Sequence, residues 1–424
     1  MRIAVVGAGL AGLRATMLLE EQGANVDLYE ARQRVGGRVH TVRDAHGLGY
    51  EAGGEWIDAD HSRVLGILKR FGIPVVATPN KPYTLSVAGS RIAETQLWPE
   101  AKADMDRLDA EARRLAEGLK DPVWSNRDRT DLDERNLAEF MGSIATSDHS
   151  RWWLRANLRS DEGEDPERIG LLGWLGGYRN YLNRTDGEAS AFRVDGGLRL
   201  LIQALSRATK AQPQFDRLLQ GIRTLNDGVE LQFSGATAKA DKVLLTLPPP
   251  CLAKVDFDPA LEVGAYRAFR QCGMTRTVKI VWQFKRAWWV DEGMTGFLMS
   301  DAPFQQVWPA HVGDAPSLVA YVNGDDADAL RKGTPESALK LLAAQFPAVE
   351  AEYERGWIHD WVRDPYAGGG FAYAPPGYVL GGKAWLSRAQ YRIHFAGEHT
   401  AKWNGFLEGA LESAERVVWE ILGQ

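Results

Sequence analysis

The stretch "RIAVVGAGLAGLRATMLLEEQGANVDLYE", Arg2 to Glu30, decides the fold. Residues 2–6 are a short, nearly continuous apolar run, as expected of a parallel strand buried on both faces. "GAGLAG" follows at once and sets Gly7, Gly9 and Gly12 in a G-x-G-x-x-G spacing. Leu13, Met17 and Leu18 then recur at helical period, Gly23 stops the helix, and "NVDLYE" reads as a second strand ending in Glu30. Each part has a physical role. Gly7 allows a tight turn, Gly9 lets the backbone approach a pyrophosphate, and Gly12 lets helix and strand pack closely. The helix N-terminus offers unpaired N–H groups to phosphate, and Glu30 can accept from a ribose hydroxyl. The whole is a dinucleotide-binding unit.

The next stretch, "EARQRVGGRVHT" (Glu30 to Thr41), resembles the extended fingerprint of the flavin amine oxidase superfamily, in which "GGR" follows the acid. The resemblance implies that Gly36 and Gly37 bring backbone to the pyrophosphate, that Arg38 adds a charge-assisted contact, and that Arg32 lies near the adenosine end. A nicotinamide enzyme has no need of this second turn, so FAD is implied. At the other end, "IHFAGEHTAKWNGFLEGALESAERVVWEIL" reads as strand, turn and a helix from about Gly405 to Leu422. A helix-start glycine beside a solvated glutamate is the plainer reading. The run from "FAGEHT" through "GFLEGA" to "SAER" nevertheless resembles the family's C-terminal flavin motif. That places Gly397 in the cofactor turn, Glu398 on the ribityl chain, and the backbone of Gly405, Phe406 and Leu407 against the isoalloxazine.

Mid-chain, "FRVDGGLRLLIQALSRA" resembles the family's paired-glycine element, with Gly196 and Gly197 opening a helix over 198–208. The strands "GIRTL" and "VELQFS" follow, then a buried strand within "DKVLLTLPPP". Leu219, just ahead of "GIRTL", joins the cofactor contacts. The implied fold class is α/β: a Rossmann-like FAD-binding domain of the glutathione-reductase type with an interleaved α+β substrate domain. The first would comprise residues 1–82, 190–260 and 385–424, the second 83–189 and 261–384. Residues 83–190 read mainly as helix, and 261–384 as strands with one helix, "PESALKLLAAQF".

Two further stretches address the substrate. "GGEWIDADHSRVLGILKRFGI" resembles the family segment that lies over the flavin, with Gly53, Gly54 and Trp56 matching its Gly-Gly-x-aromatic pattern and Glu55 among them. Asp58 falls where polyamine-oxidising relatives carry an acid. The plainer reading makes Glu55 and Asp58 helix N-terminal carboxylates, favoured by the dipole. In "DPYAGGGFAYAPPG", three glycines and alternating aromatics imply backbone passing close to something flat. By resemblance Phe371 is one wall of the family's aromatic cage and Phe406 the other. Members specialised for arylalkylamines usually carry tyrosine at both positions, so this chain keeps an apolar slot and lacks two hydroxyls. Covalent-flavin members have cysteine where this chain has Gly370, which implies non-covalent FAD.

"MTRTVKIVWQF", Met274 to Phe284, reads as a buried strand interrupted by Lys279. A buried ammonium without a partner is strongly disfavoured. Period-2 alternation puts Thr277, Lys279 and Val281 on one face and Val278, Ile280 and Trp282 on the other. An edge strand showing its lysine to solvent is one explanation. The stretch also resembles the family strand whose lysine reaches flavin N5 through an ordered water, which implies a wet cavity around Lys279.

The 424 residues are 45% hydrophobic and 25% charged with net charge −6, an ordinary globular balance that gives no reason to expect nucleic acid. Two isolated cysteines, Cys251 and Cys272, are too few for a disulfide framework or a metal site, so no metal and a reduced, cytoplasmic setting are expected. No apolar run approaches membrane-spanning length, and neither a signal peptide nor a hydrophobic tail is expected. The expected function is oxidation of a small-molecule primary or secondary amine, with oxygen as acceptor and hydrogen peroxide as product. An L-amino acid oxidase, for which Arg63, Arg155 and Arg159 are available, is an alternative. A polyamine oxidase is another, and a flavin-binding module without turnover a third. Composition leaves the oligomeric state open, a homodimer among the options.

Overall fold

A computed structural model describes residues 1–78, 83–87, 90–182, 184, 189–304 and 306–423. The expected domain boundary at residue 82 lies outside the described residues.

The Arg2–Val6 strand is an inner strand of a parallel sheet. It pairs in parallel with Asn25–Tyr29 on one side and Lys242–Leu245 on the other, and Ile393–Phe395 completes the four-stranded sheet. Burial on both faces explains the unbroken apolar run. Ile3 and Val5 point into a core shared with the helices Leu10–Glu21, Arg199–Ala208 and Leu407–Leu422. Ala4 and Val6 point the other way, toward the sheet formed by Leu219–Thr224, Val229–Phe233 and Ala236–Ala240. A parallel sheet with both faces covered is the usual way such strands are buried. The N-terminal and C-terminal segments thus belong to one sheet, with Lys242–Leu245 between their strands.

A seven-stranded mixed sheet carries the other unit, in the order Tyr353–Asp360, Thr277–Phe284, Ser317–Asn323, Gln306–Pro309, Leu298–Ser300, Thr84–Val87, Ser90–Ala93. Helices Pro99–Glu117, Asp148–Glu162 and Leu171–Tyr178 pack beside it. Residues 83–190 are mainly helix, as read, after two strands of this sheet. Residues 261–384 hold more than one helix: Val263–Gln271 and Gly324–Leu330 accompany Pro335–Ala343. The first of these buries Ala265, Ala268 and Phe269 beneath the parallel sheet, so by packing it goes with that layer. Among the described residues no helix is long and apolar enough to cross a membrane.

Candidate active site

A single cavity of about 1460 Å3 runs from the glycine-rich turn after the first strand to an aromatic chamber beneath the seven-stranded sheet. Gly7, Gly9, Gly36, Gly37, Glu30, Arg32, Arg38 and Leu219 line its first half. Gly53, Gly54, Glu55, Trp56, Gly397, Glu398, Gly405, Phe406, Leu407, Phe371 and Lys279 line the second. Gly12 is the exception. It packs against Gly7, where an added Cβ would stand 1.9 Å from the carbonyl oxygen.

The first half is built for close approach. Gly9 and Gly36 bridge directly, and Gly36 adopts φ +101°, a conformation open to glycine and costly for other residues. An added Cβ on Gly9 would meet nothing nearer than the Gly36 carbonyl at 4.0 Å, so the helix start lies open to the cavity. The Glu30 carboxylate accepts from the Ala8 N–H at 2.8 Å and from the Arg32 N–H at 2.9 Å, which fixes its rotamer. Arg32 is ion-paired with Asp364 at 2.5 Å. Arg38 donates to Glu398 at 2.6 Å and to the Gly370 carbonyl at 2.9 Å. Glu398 also accepts from the Gly405 N–H at 2.8 Å and the Ala372 N–H at 3.1 Å. Three segments far apart in sequence, around Arg38, Ala372 and Glu398–Gly405, are tied together by that one carboxylate.

The second half is aromatic. Phe406 meets His61, Trp403 and Tyr181 at ring-centroid distances of 5.2, 5.8 and 6.4 Å. Phe371 is held against Gly405 and Gly163, where an added Cβ would come within 2.9 and 2.6 Å of its ring. Neither Cys251 nor Cys272 offers a ready thiolate, since burial pushes both thiols up, Cys272 to about 12.

Lys279 lies in the second strand from the edge of the seven-stranded sheet, paired on both sides, so the solvent-facing edge explanation fails. It lines the cavity, and its ammonium is also held by the protein. Its Nζ donates at 3.0 Å to the Glu51 carbonyl, the Gly53 carbonyl and Glu55 Oε2. Three protein acceptors thus face the charge. Glu55 and Asp58 are not helix-terminal carboxylates either, because the helix after them starts at Ser62. Glu55 turns to Lys279, while Asp58 accepts from Arg184 at 2.8 Å and from the Ser190 N–H at 2.7 Å.

Sequence reasoning missed Asp161 and Glu162, the last two residues of the Asp148–Glu162 helix. Both line the chamber. Asp161 is accessible, but the surface it shows is cavity wall surrounded by protein. Burial first, then the neighbouring Asp58, pushes its carboxyl up to about 7. Burial and Asp161 push Glu162 up to about 8, against a smaller opposing contact from Trp174. Neither has a cationic partner among the described residues. Two acids at the C-terminal end of a helix, where the dipole favours cations, were the available signal in "LRSDEGED".

The three arginines considered for a substrate carboxylate are occupied elsewhere. Arg63 pairs with Glu408 and Glu415, Arg155 with Glu167, and Arg159 with Asp165 and Asp326. None lines the cavity.

A dinucleotide cradle opening into an aromatic chamber defines a flavoprotein of the oxidoreductase class, and comparison with known proteins specifies it. Residues 10–422 match the model of the flavin containing amine oxidoreductase family, and the chain belongs to that family. It is 28% identical over 440 residues to AofH of Mycobacterium tuberculosis, named as a flavin-containing monoamine oxidase, covering 99% of this chain and 96% of that one. It is 25% identical over 457 residues to the horse flavin-containing amine oxidase A, covering 99% of this chain and 84% of the relative. The fold matches that of cyclohexylamine oxidase from Brevibacterium oxydans IH-35A with a TM-score of 0.89 at 23% identity, over 100% and 99% of the two chains. The protein is an FAD-dependent amine oxidase, and the open glycine turn and Arg38 at the cavity wall fit that cofactor.

Proposed function

We propose that the chain oxidises the carbon bearing a primary or secondary amine, giving an imine that hydrolyses to a carbonyl compound, with hydrogen peroxide formed from dioxygen. The chemistry supplied by bound FAD is two-electron oxidation of the C–N bond. The protein's part is to hold, dry and orient. Gly9, the helix start after it, Arg38 and Glu30 hold the dinucleotide. Phe371 and Phe406 form an apolar slot that favours the neutral amine by desolvation. Lys279 keeps a fixed positive charge at the chamber wall. The reading takes residues 1–82, 190–260 and 385–424 as the FAD-binding domain and 83–189 and 261–384 as the substrate domain, with Val263–Gln271 attached to the former.

The observation that carries this reading is the continuity of one cavity whose wall includes the Gly9 turn, Phe371, Phe406 and Lys279. Anaerobic mixing of the yellow protein with an amine panel tests it. Bleaching of the flavin band by amines, and not by L-amino acids, is expected. Bleaching by amino acids alone would overturn it. With glycine at position 370 the flavin is taken as non-covalent, so acid precipitation should leave the yellow colour in the supernatant.

A second reading, a substrate with a second cationic group, is favoured by Asp161 and Glu162, which have no cationic partner among the described residues. Their ionisation between about pH 7 and 8 gives it a sign. Each carboxyl is neutral below its raised pKa and attracts an ammonium only above it. The KM for a diamine should therefore fall about tenfold or more as pH rises from 6 to 9, on the order of one 1.4 kcal/mol charge contact. Substituting Asp161→Asn with Glu162→Gln should abolish that fall and leave the KM of a monoamine little changed. Identical pH profiles for the two substrates would exclude the reading.

A further inference from the structure

The geometry points to Glu55 as a positioning residue that clamps Lys279, so that the charge at the flavin edge is set by a buried, compensated group of side chains and not by Lys279 alone. This rests on the reading that the flavin's reactive edge lies beside Lys279. The ammonium carries three N–H donors, and three protein acceptors at 3.0 Å face it: two carbonyls and Glu55 Oε2. Glu55 is 4% exposed and Lys279 5%. Only one of the three acceptors carries charge, and the carbonyls cannot neutralise an ammonium.

Glu55 is itself held in place. Trp308 Nε1 stands 3.1 Å from both of its oxygens, His311 Nδ1 3.4 Å and Arg193 Nη1 3.5 Å from Oε1. The Trp308 ring also lies 5.3 Å from the Lys279 ammonium, which adds a cation–π contact. Burial alone would push the Glu55 carboxyl up, yet Lys279, His311 and Arg193 together hold it well below the usual carboxylate range. Glu55 is therefore an anion facing Lys279 and Arg193, and it cancels part of their positive field at the chamber wall.

A buried charge acts over many ångströms because little water screens it. Removing the Glu55 charge while keeping its shape should leave two cations uncompensated beside the cofactor, which favours the electron-rich, reduced flavin. In E55Q holoenzyme, dye-equilibrium titration of the flavin without any amine present should show reduction favoured at least tenfold over wild type, about 30 mV for a two-electron couple. E55D keeps the charge and should return most of the wild-type value. E55Q combined with K279M removes one charge of each sign and should move the potential back toward wild type, a reversal that a merely structural role for Glu55 would not produce. An E55Q potential equal to wild type, or one that K279M does not reverse, overturns the inference. Should E55Q fail to retain flavin, retention by the E55Q/K279M pair supports the clamp, and loss in both overturns it. Because no amine enters the measurement, a failure here is separate from failure of the proposed substrate chemistry.

Discussion

Replacing Lys279 with methionine should slow flavin reduction by amine, or reoxidation by oxygen, by on the order of 10², the usual loss when one preorganised charge or donor is taken from a dry site. The same substitution should lower stability. It strands the Glu55 carboxylate, 4% exposed, without the ammonium 3.0 Å away. Breaking one half of a buried pair costs about 3–5 kcal/mol. Stopped-flow absorbance of each half-reaction under anaerobic and aerobic conditions measures the first effect, and thermal unfolding of the flavin-free protein measures the second. Wild-type rates together with a wild-type melting temperature would remove Lys279 from the chemistry and from the charge network at once.

The second large effect separates two glycines three residues apart. Gly12→Ala should give protein that purifies colourless and unfolds early. Its Cβ would stand 1.9 Å from the Gly7 carbonyl oxygen and 3.0 Å from Thr246 Oγ1, and that carbonyl belongs to the turn itself. Relieving the overlap means rebuilding the turn, at a cost of about 3 kcal/mol by the scale of overpacked cores. Gly9→Ala presents the opposite case. With no atom nearer than 4.0 Å, its new methyl group meets only the cavity. Its flavin-free form should melt like wild type while FAD affinity drops by roughly tenfold or more, since the second glycine of such a turn is the one that lets backbone approach a pyrophosphate. Calorimetry of the flavin-free variants and fluorescence titration with FAD distinguish the two. A Gly9→Ala protein that binds FAD as tightly as wild type would mean the pyrophosphate lies elsewhere.

Much of the cradle was readable from the chain because local rules govern it. An apolar run of strand length, a glycine spacing and a helical period are each set by residues a few positions apart, and they placed the Arg2–Val6 strand and the helix after it, which starts at Leu10, three residues ahead of the first periodic residue, Leu13. The strand around Lys279 was legible for the same reason. The surroundings of Lys279 were not. Its partner Glu55 lies 224 positions away, and nothing in "GGEWID" shows that the glutamate turns inward instead of capping a helix. The roles offered to Arg63, Arg155 and Arg159 dissolved similarly, once docking of the helices gave each an acidic partner.

By itself, then, the sequence determined that a strand, a glycine turn and a helix follow one another at Arg2–Glu21, that a strand and helix recur at Ile393–Leu422, and that a lysine interrupts a buried strand. Tertiary structure alone decided which charges meet: Glu55 with Lys279, Asp58 with Arg184, and Asp161 and Glu162 with an aromatic chamber and no cation among the described residues. The reason is physical. Backbone conformation answers to near neighbours along the chain, whereas the energy of a buried charge depends on whatever the fold brings within a few ångströms of it.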